Sequence, residues 1–119
     1  MDRWLGDLRD TLAAAARLVD RGRDAFDEDA ALPLAFEALS NRIGELAKRL
    51  LHADQDRFTD PVWRQAARSR DFVVHHYDRL DGDLLWRTVT TAFPVLAALV
   101  QAEIGTTAGR EATPGHDGP

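Results

Sequence analysis

Residues 59–80 read TDPVWRQAARSRDFVVHHYDRL, and this stretch decides the fold class. It opens on Thr59-Asp60-Pro61, where a side chain that can cap a helix precedes a proline at the first helical position. The residues after it share steps of three and four, the spacing of one helical face: Trp63, Ala66, Arg70, Val73, Val74, Tyr77 and Leu80. The stretch therefore predicts a helix from about residue 62 to residue 80.

Two segments before this helix carry the same spacing. The first covers residues 2–21, with a stripe made of Trp4, Leu5, Leu8, Leu12, Ala15, Ala16 and Val19. Gly22 and an acidic stretch then break the pattern, and Asp27 or Asp29 is a candidate cap for a second helix that runs to about residue 51. Residues 52–59 are polar and predict a loop.

One segment after it completes the pattern. Residues 81–83 predict a tight connection, and residues 85–104 predict a last helix with a kink at Pro94, which lacks a backbone N–H. Residues 105–119 predict a disordered tail, because glycine, threonine and proline replace the periodic pattern. We therefore predict an all-α domain over residues 1–104, an antiparallel four-helix up-and-down bundle with short connections.

Composition excludes several classes of protein. A chain of 119 residues supports one domain, and no uninterrupted apolar run approaches the roughly 20 residues that cross a bilayer. Charged residues at the amino end argue against a signal peptide, and the absence of cysteine gives no reason for an oxidising compartment. The net charge of −5 argues against broad binding to duplex nucleic acid. We expect a cytoplasmic protein with no membrane contact.

The candidate site is the cluster of Arg70, Asp71, His75 and Tyr77. Arg70 and Tyr77 share the apolar stripe, whereas His75 is five residues from Arg70, about 140° around a helix. Burying an unpaired guanidinium is costly, so Arg70 either pairs with a carboxylate, such as Glu45, or faces a cleft or subunit interface. Two copies packed about a two-fold axis would bring both groups to one cleft, which predicts a homodimer.

Other kinds of site have little support in the sequence. His75 and the adjacent His76 lie about 100° apart on a helix and cannot converge on one ion. His52 and His116 fall in a predicted loop and in the tail, so we expect no metal site, and the isolated glycines give no phosphate-binding loop or other cofactor motif. The tryptophans are predicted to be core or dimer contacts and are Trp4, Trp63 and Trp86.

Arg70, His75 and Tyr77 fit the Arg-x4-His-x-Tyr motif, and the chain here resembles HepT-like toxins of the HEPN ribonuclease superfamily. The chain departs from the family pattern at two positions. Asp71 stands where many members carry asparagine, and Leu46 replaces a small alanine. The second difference concerns packing alone.

The resemblance extends over about residues 1–104. Residues 41–48 resemble the Ile-Gly-Glu-Ala segment of that family, residues 60–63 resemble its Pro-Trp helix start, and residues 86–96 resemble its last helix. These segments occur in the family's order along the chain.

The resemblance implies a metal-independent endoribonuclease toxin with RNA as its substrate. Arg70 and His75 would be catalytic, with Asp71, Tyr77 and Glu45 in supporting positions. It also implies a partner, a minimal nucleotidyltransferase antitoxin that adenylylates Tyr77. Two other interpretations remain open: a non-catalytic helical module that binds such a nucleotidyltransferase, and a purely structural dimer in which Arg70 is a buried ion-pair partner.

Overall fold

A computed structural model describes the backbone of residues 1–75 and 79–115 and the side chains of residues 1–68 and 82–106. Within those residues the regular structure is helical and contains no strand, which confirms the all-α class. The helices are α1 (Asp2–Val19), α2 (Gly22–Glu28), α3 (Ala31–Ala53), α4 (Pro61–His75), α5 (Arg79–Arg87) and α6 (Phe93–Gly115). A π-helical turn over Thr88–Ala92 joins α5 to α6.

Each long helix contacts the next in the order α4, α3, α1 and α6. The most extensive contact is between α3 and α4, and α1 lies against both α3 and α6. In contrast, α4 and α6 contact each other only slightly. The specific four-helix up-and-down bundle is therefore not confirmed, because α2 is an additional helix and one side of the predicted bundle is barely closed.

A single hydrophobic core joins these helices. Leu5, Leu8 and Leu12 of α1 are 3% exposed or less and follow the predicted stripe. Three rings from different elements meet in this core, since Phe26 lies 5.8 Å from Phe36 and 5.1 Å from Trp86 between ring centroids. Aromatic pairs at such distances stabilise a fold beyond the area they bury.

The acidic stretch after α1 is helical, which the sequence did not predict. Gly22 has a φ of +89°, a left-handed conformation that glycine adopts without strain, and it separates α1 from the next helix. The following turn buries Phe26, whose apolar contacts outweigh the weak helical pattern around it. Arg23 pairs with Asp27 on the same helix (2.9 Å) and links the helix to Asp83 on α5 (2.5 Å). Both carboxylates, Asp83 first, raise the pKa of Arg23.

The prediction of a tight connection at residues 81–83 was wrong, because those residues lie inside α5. The irregularity expected near Pro94 takes the form of the π-helical turn. Its closing bond runs from the N–H of Phe93 to the carbonyl oxygen of Thr88, five residues earlier. Pro94 cannot donate to the carbonyl of Thr90, so the normal helical ladder is interrupted at this point.

The last helix continues past the predicted boundary. It ends at Gly115, whereas the sequence pattern placed its end near Ile104. No proline stops it before Pro114, and the hydroxyl of Thr106 donates to the carbonyl oxygen of Ala102 (2.9 Å). The domain boundary at residue 104 stays a prediction.

Among the described residues, one helical stretch has the length and composition to cross a membrane. It spans Gly82–Thr106 and includes an 18-residue window with a mean hydropathy of 1.3. Charged residues interrupt it at Asp83, Arg87 and Glu103, so it is not an uninterrupted apolar run. The same stretch supplies Val89, Phe93, Leu96 and Val100 to the core. Length and composition do not separate a core helix from a spanning one, and the absence of membrane contact stays a prediction.

The helix starts confirm two predicted caps. Oδ1 of Asp29 accepts from the N–H of Ala31 (3.0 Å) at the start of α3, and Oδ1 of Asp60 accepts from the N–H of Val62 (3.0 Å) at the start of α4. Such side chains satisfy N–H groups that have no partner within the helix.

Replacing Asp60 by alanine should lower the free energy of unfolding by about 1 kcal/mol, because α4 loses its cap. Urea unfolding followed by circular dichroism measures the change. Asp56→Ala is the matched control, an exposed aspartate in the same connection. Equal effects of the two substitutions would contradict a capping role.

Candidate functional site

Helix α4 carries most of the candidate site and has two distinct faces. Val62, Trp63 and Ala66 are buried, with Trp63 only 2% exposed, whereas Arg64 and Arg68 are exposed. The ring of Phe58, in the preceding connection, packs at 4.7 Å from that of Trp63 and fixes the start of the helix against the core. The burial pattern therefore fixes which side of α4 faces inward.

The two predicted catalytic residues occupy different faces of α4. Position 70 follows Trp63 by seven residues and Ala66 by four, which places it on the buried face. Position 75 follows Arg68 by seven residues, which places it on the exposed face. The separation of Arg70 from His75 around the helix thus follows from the observed burial as well as from the spacing.

The side chains of Arg70, Asp71 and His75 lie outside the described residues, and so does the whole of Tyr77. The backbone of α4 includes positions 70, 71 and 75. Position 71 lies on the exposed face, one turn before position 75. Their predicted roles stay predictions.

Glu45 is the candidate residue whose side chain is described. It lies on α3, half-exposed, and its Oε1 is 3.8 Å from Nε of Arg49, one turn further along the helix. The ion pair is long and open to water, and pairs of this kind contribute little to stability. Glu45 therefore has Arg49 as one partner, and its pairing with Arg70 stays a prediction.

The connection between α3 and α4 places positions 45 and 70 at the same level, that is, at similar distances from it along the two helix axes. The N–H of Arg57 bonds to the carbonyl oxygen of Asp54 (3.3 Å), so the chain turns tightly between the helices. Helices that pack extensively across so short a connection are antiparallel neighbours. Position 45 precedes the end of α3 by eight residues and position 70 follows the start of α4 by nine, about 12 and 14 Å along the respective axes.

Two polar atoms are buried on α3 one turn before this level. Oγ of Ser40 and Oδ1 of Asn41 have no hydrogen-bond partner in the part of the chain that the structure describes. An unpaired buried polar atom costs about 1–3 kcal/mol. Asn41 is the first residue of the segment 41–48, which also carries Glu45. That segment was identified only by its resemblance to the Ile-Gly-Glu-Ala segment of HepT-like toxins.

The described side chains contain no group of three histidine, cysteine, aspartate or glutamate residues that could hold a metal ion. The search covers residues 1–68 and 82–106, and so omits the side chains of the α4 cluster.

A comparison with protein-family models decides the family. The model for "Ribonuclease HepT-like" proteins matches residues 8–103, more than three quarters of the chain. The chain belongs to the HepT-like ribonuclease family. No solved structure matched it.

The matched region of this HepT-like ribonuclease contains all of α2, α3, α4 and α5, together with every predicted site residue. The resemblance inferred from the Arg-x4-His-x-Tyr motif is thereby confirmed at the level of the family. Membership implies RNA as the class of substrate.

A second feature of this HepT-like chain was not predicted from its sequence. A groove of about 480 Å³ lies between the first turns of α1 and the last turns of α3. We call it the α1–α3 groove; its lining residues are Trp4, Glu45, Lys48, Arg49, His52 and Ala53. No local spacing signals it, because Trp4 is more than 40 residues away from the α3 residues and meets them only through the packing of α1 on α3.

Proposed function

We propose that this HepT-like protein is a metal-independent endoribonuclease, the toxin of a cytoplasmic toxin–antitoxin pair. The observation that carries the proposal is the family match, which includes Arg70 and His75 at the motif spacing on α4. The arginine and histidine of that motif are the groups that RNA cleavage without a metal requires.

RNA supplies its own nucleophile, the 2′-hydroxyl. In the proposed reaction His75 removes the 2′ proton, the 2′ oxygen attacks the adjacent phosphorus, and the bond from phosphorus to the 5′ oxygen breaks. The leaving oxygen takes up a proton, and the products are a 2′,3′-cyclic phosphate and a 5′-hydroxyl. Arg70 stabilises the additional negative charge on the phosphorane, and Asp71 orients the imidazole of His75.

The active cleft is proposed to form between two copies of the chain. Positions 70 and 75 lie about 140° apart on α4, so one helix does not aim both groups at one phosphate. A two-fold axis beside α4 would place Arg70 of one copy near His75 of the other. Tyr77 and Glu45 would then lie beside this cleft, in supporting positions.

The proposed antitoxin is a minimal nucleotidyltransferase that adenylylates Tyr77. The added nucleotide is bulky and anionic, and Tyr77 follows Arg70 by seven residues in the sequence. A phosphate near Arg70 would neutralise the cation and block the entry of RNA. This modification would switch the ribonuclease off.

The proposal is tested by incubating the purified protein with single-stranded RNA in excess chelator. We expect cleavage at the same rate as without chelator, because no step uses a metal ion. Cleavage that stops with chelator and returns with a divalent ion would overturn the mechanism. A stable complex with a nucleotidyltransferase and no cleavage under any condition would favour the non-catalytic module.

A further inference from the structure

The α1–α3 groove has an excess of basic side chains in an acidic protein. The whole chain carries 20 acidic and 15 basic residues, yet the groove has Lys48 and Arg49 against the single carboxylate of Glu45. That carboxylate already lies beside Arg49. Lys48 forms no ion pair with any side chain among those described. The groove is therefore suited to an anion.

Trp4 differs from the other two tryptophans. Trp63 packs against Phe58 and Trp86 packs against Phe26, so both rings are held inside aromatic clusters. Among the described residues Trp4 makes no ring contact with another aromatic; it is half-buried against the core and lines the groove. A ring that is anchored on one side and accessible on the other is a suitable surface for a nucleobase.

We propose that the α1–α3 groove binds one nucleotide of single-stranded RNA, with its base stacked on Trp4 and its flanking phosphates held by Lys48 and Arg49. The inference rests on the RNA substrate of the proposed function and adds a binding subsite outside the catalytic cluster. The groove volume of about 480 Å³ falls within the range of small-ligand sites. Stacking requires an unpaired base, which selects a single strand over a duplex.

The position of the groove fits a strand that also reaches α4. Glu45 marks one end of the groove and lies level with position 70 across the α3–α4 pair. Lys48 and Arg49 follow Glu45 by three and four residues, about 5–6 Å along the helix axis. In this proposal, a nucleotide held in the groove belongs to the same strand as a phosphate bound at Arg70.

The experiment measures binding by the full chain carrying His75→Ala, so that the RNA stays intact. Fluorescence anisotropy with a labelled, unstructured oligoribonucleotide gives the Kd and its dependence on salt. Trp4→Ala should raise the Kd about 5- to 150-fold, as loss of one stacked base does, and Trp4→Phe should retain most of the affinity. The double variant K48A/R49A should weaken binding and lower the slope of log K against log salt concentration by about 1.4.

The matched control is R17A/R21A, which removes one positive charge near the end of α1 and one just beyond it; Arg17 lies about 20 Å from Trp4 along the helix. It should leave the salt slope nearly unchanged. The subsite would be overturned if Trp4→Ala and K48A/R49A keep native circular dichroism and change neither the Kd nor the salt slope. Binding of AMP as tight as that of the oligoribonucleotide would assign the groove to a free nucleotide and overturn the RNA assignment.

The results separate this inference from the catalytic proposal. If the wild-type chain cleaves RNA in chelator and the groove variants leave the Kd unchanged, the groove proposal alone is overturned. Binding that depends on Trp4 and Lys48, in a chain that never cleaves RNA, would support the groove and overturn the ribonuclease mechanism alone.

Discussion

Replacing His75 by alanine should lower the rate of RNA cleavage by about 10²- to 10⁴-fold, the range that a general acid or base contributes. Position 75 falls on the exposed face of α4, in line with Arg64 and Arg68, so we expect the substitution to leave the buried face intact. The melting temperature should therefore change little. The rate is measured with a labelled oligoribonucleotide under single-turnover conditions.

His116→Ala is the control for this variant, because it also removes one histidine but lies beyond the family match, which ends at residue 103. It should cleave RNA at the wild-type rate. Cleavage by His75→Ala at more than a tenth of the wild-type rate would contradict the role of His75. Cleavage lost together with the native circular dichroism would contradict the expectation that position 75 is not structural.

Leu46→Ala should lower the free energy of unfolding by about 2–5 kcal/mol, because Leu46 is fully buried in the core on α3. The expectation holds even though the resemblance described above would place a small alanine here. In this chain the neighbouring side chains pack around leucine, and alanine would leave a cavity that they fill only in part. Urea unfolding should show a lower midpoint at an unchanged slope.

Leu34→Ala is the matched control, the same substitution on the same helix at a side chain that is 53% exposed. Its effect should stay within about 0.5 kcal/mol. Similar losses for Leu34→Ala and Leu46→Ala would contradict the account of the core.

The long helices could be predicted because their information is local. The stripe of α1 and the Asp60-Pro61 start of α4 each signal a helix within a few residues, and both helices form; of the predicted α1 stripe, Ala16 alone is exposed. The short helix α2 could not be predicted in this way, because it depends on the contact of Phe26 with Phe36 and Trp86, which are distant in sequence.

The errors near residues 81–83 and at the last helix have a common cause. Aspartate and glycine favour turns when they are judged alone, yet Asp83 here lies on a helix and forms an ion pair with Arg23 of α2. Gly105 and Thr106 likewise continue α6 although their propensity for helix is low. At Asp83 a tertiary contact prevails over local preference, and at Gly105 and Thr106 the continuity of α6 does.

The candidate site was predicted from a motif, and the structure adds its orientation. Burial of Trp63 and Ala66 assigns position 70 to the inner face of α4 and position 75 to the outer face. The α1–α3 groove could not be read from the sequence, because Trp4 and Lys48 meet only after α1 packs on α3.

The chemical ends of the RNA fragments test the central claim most directly. The protein is incubated with RNA in excess chelator, and the termini are identified by mass spectrometry. We predict 2′,3′-cyclic phosphate and 5′-hydroxyl ends, the products of attack by the 2′-hydroxyl. Fragments with 3′-hydroxyl and 5′-phosphate ends would contradict the proposed reaction.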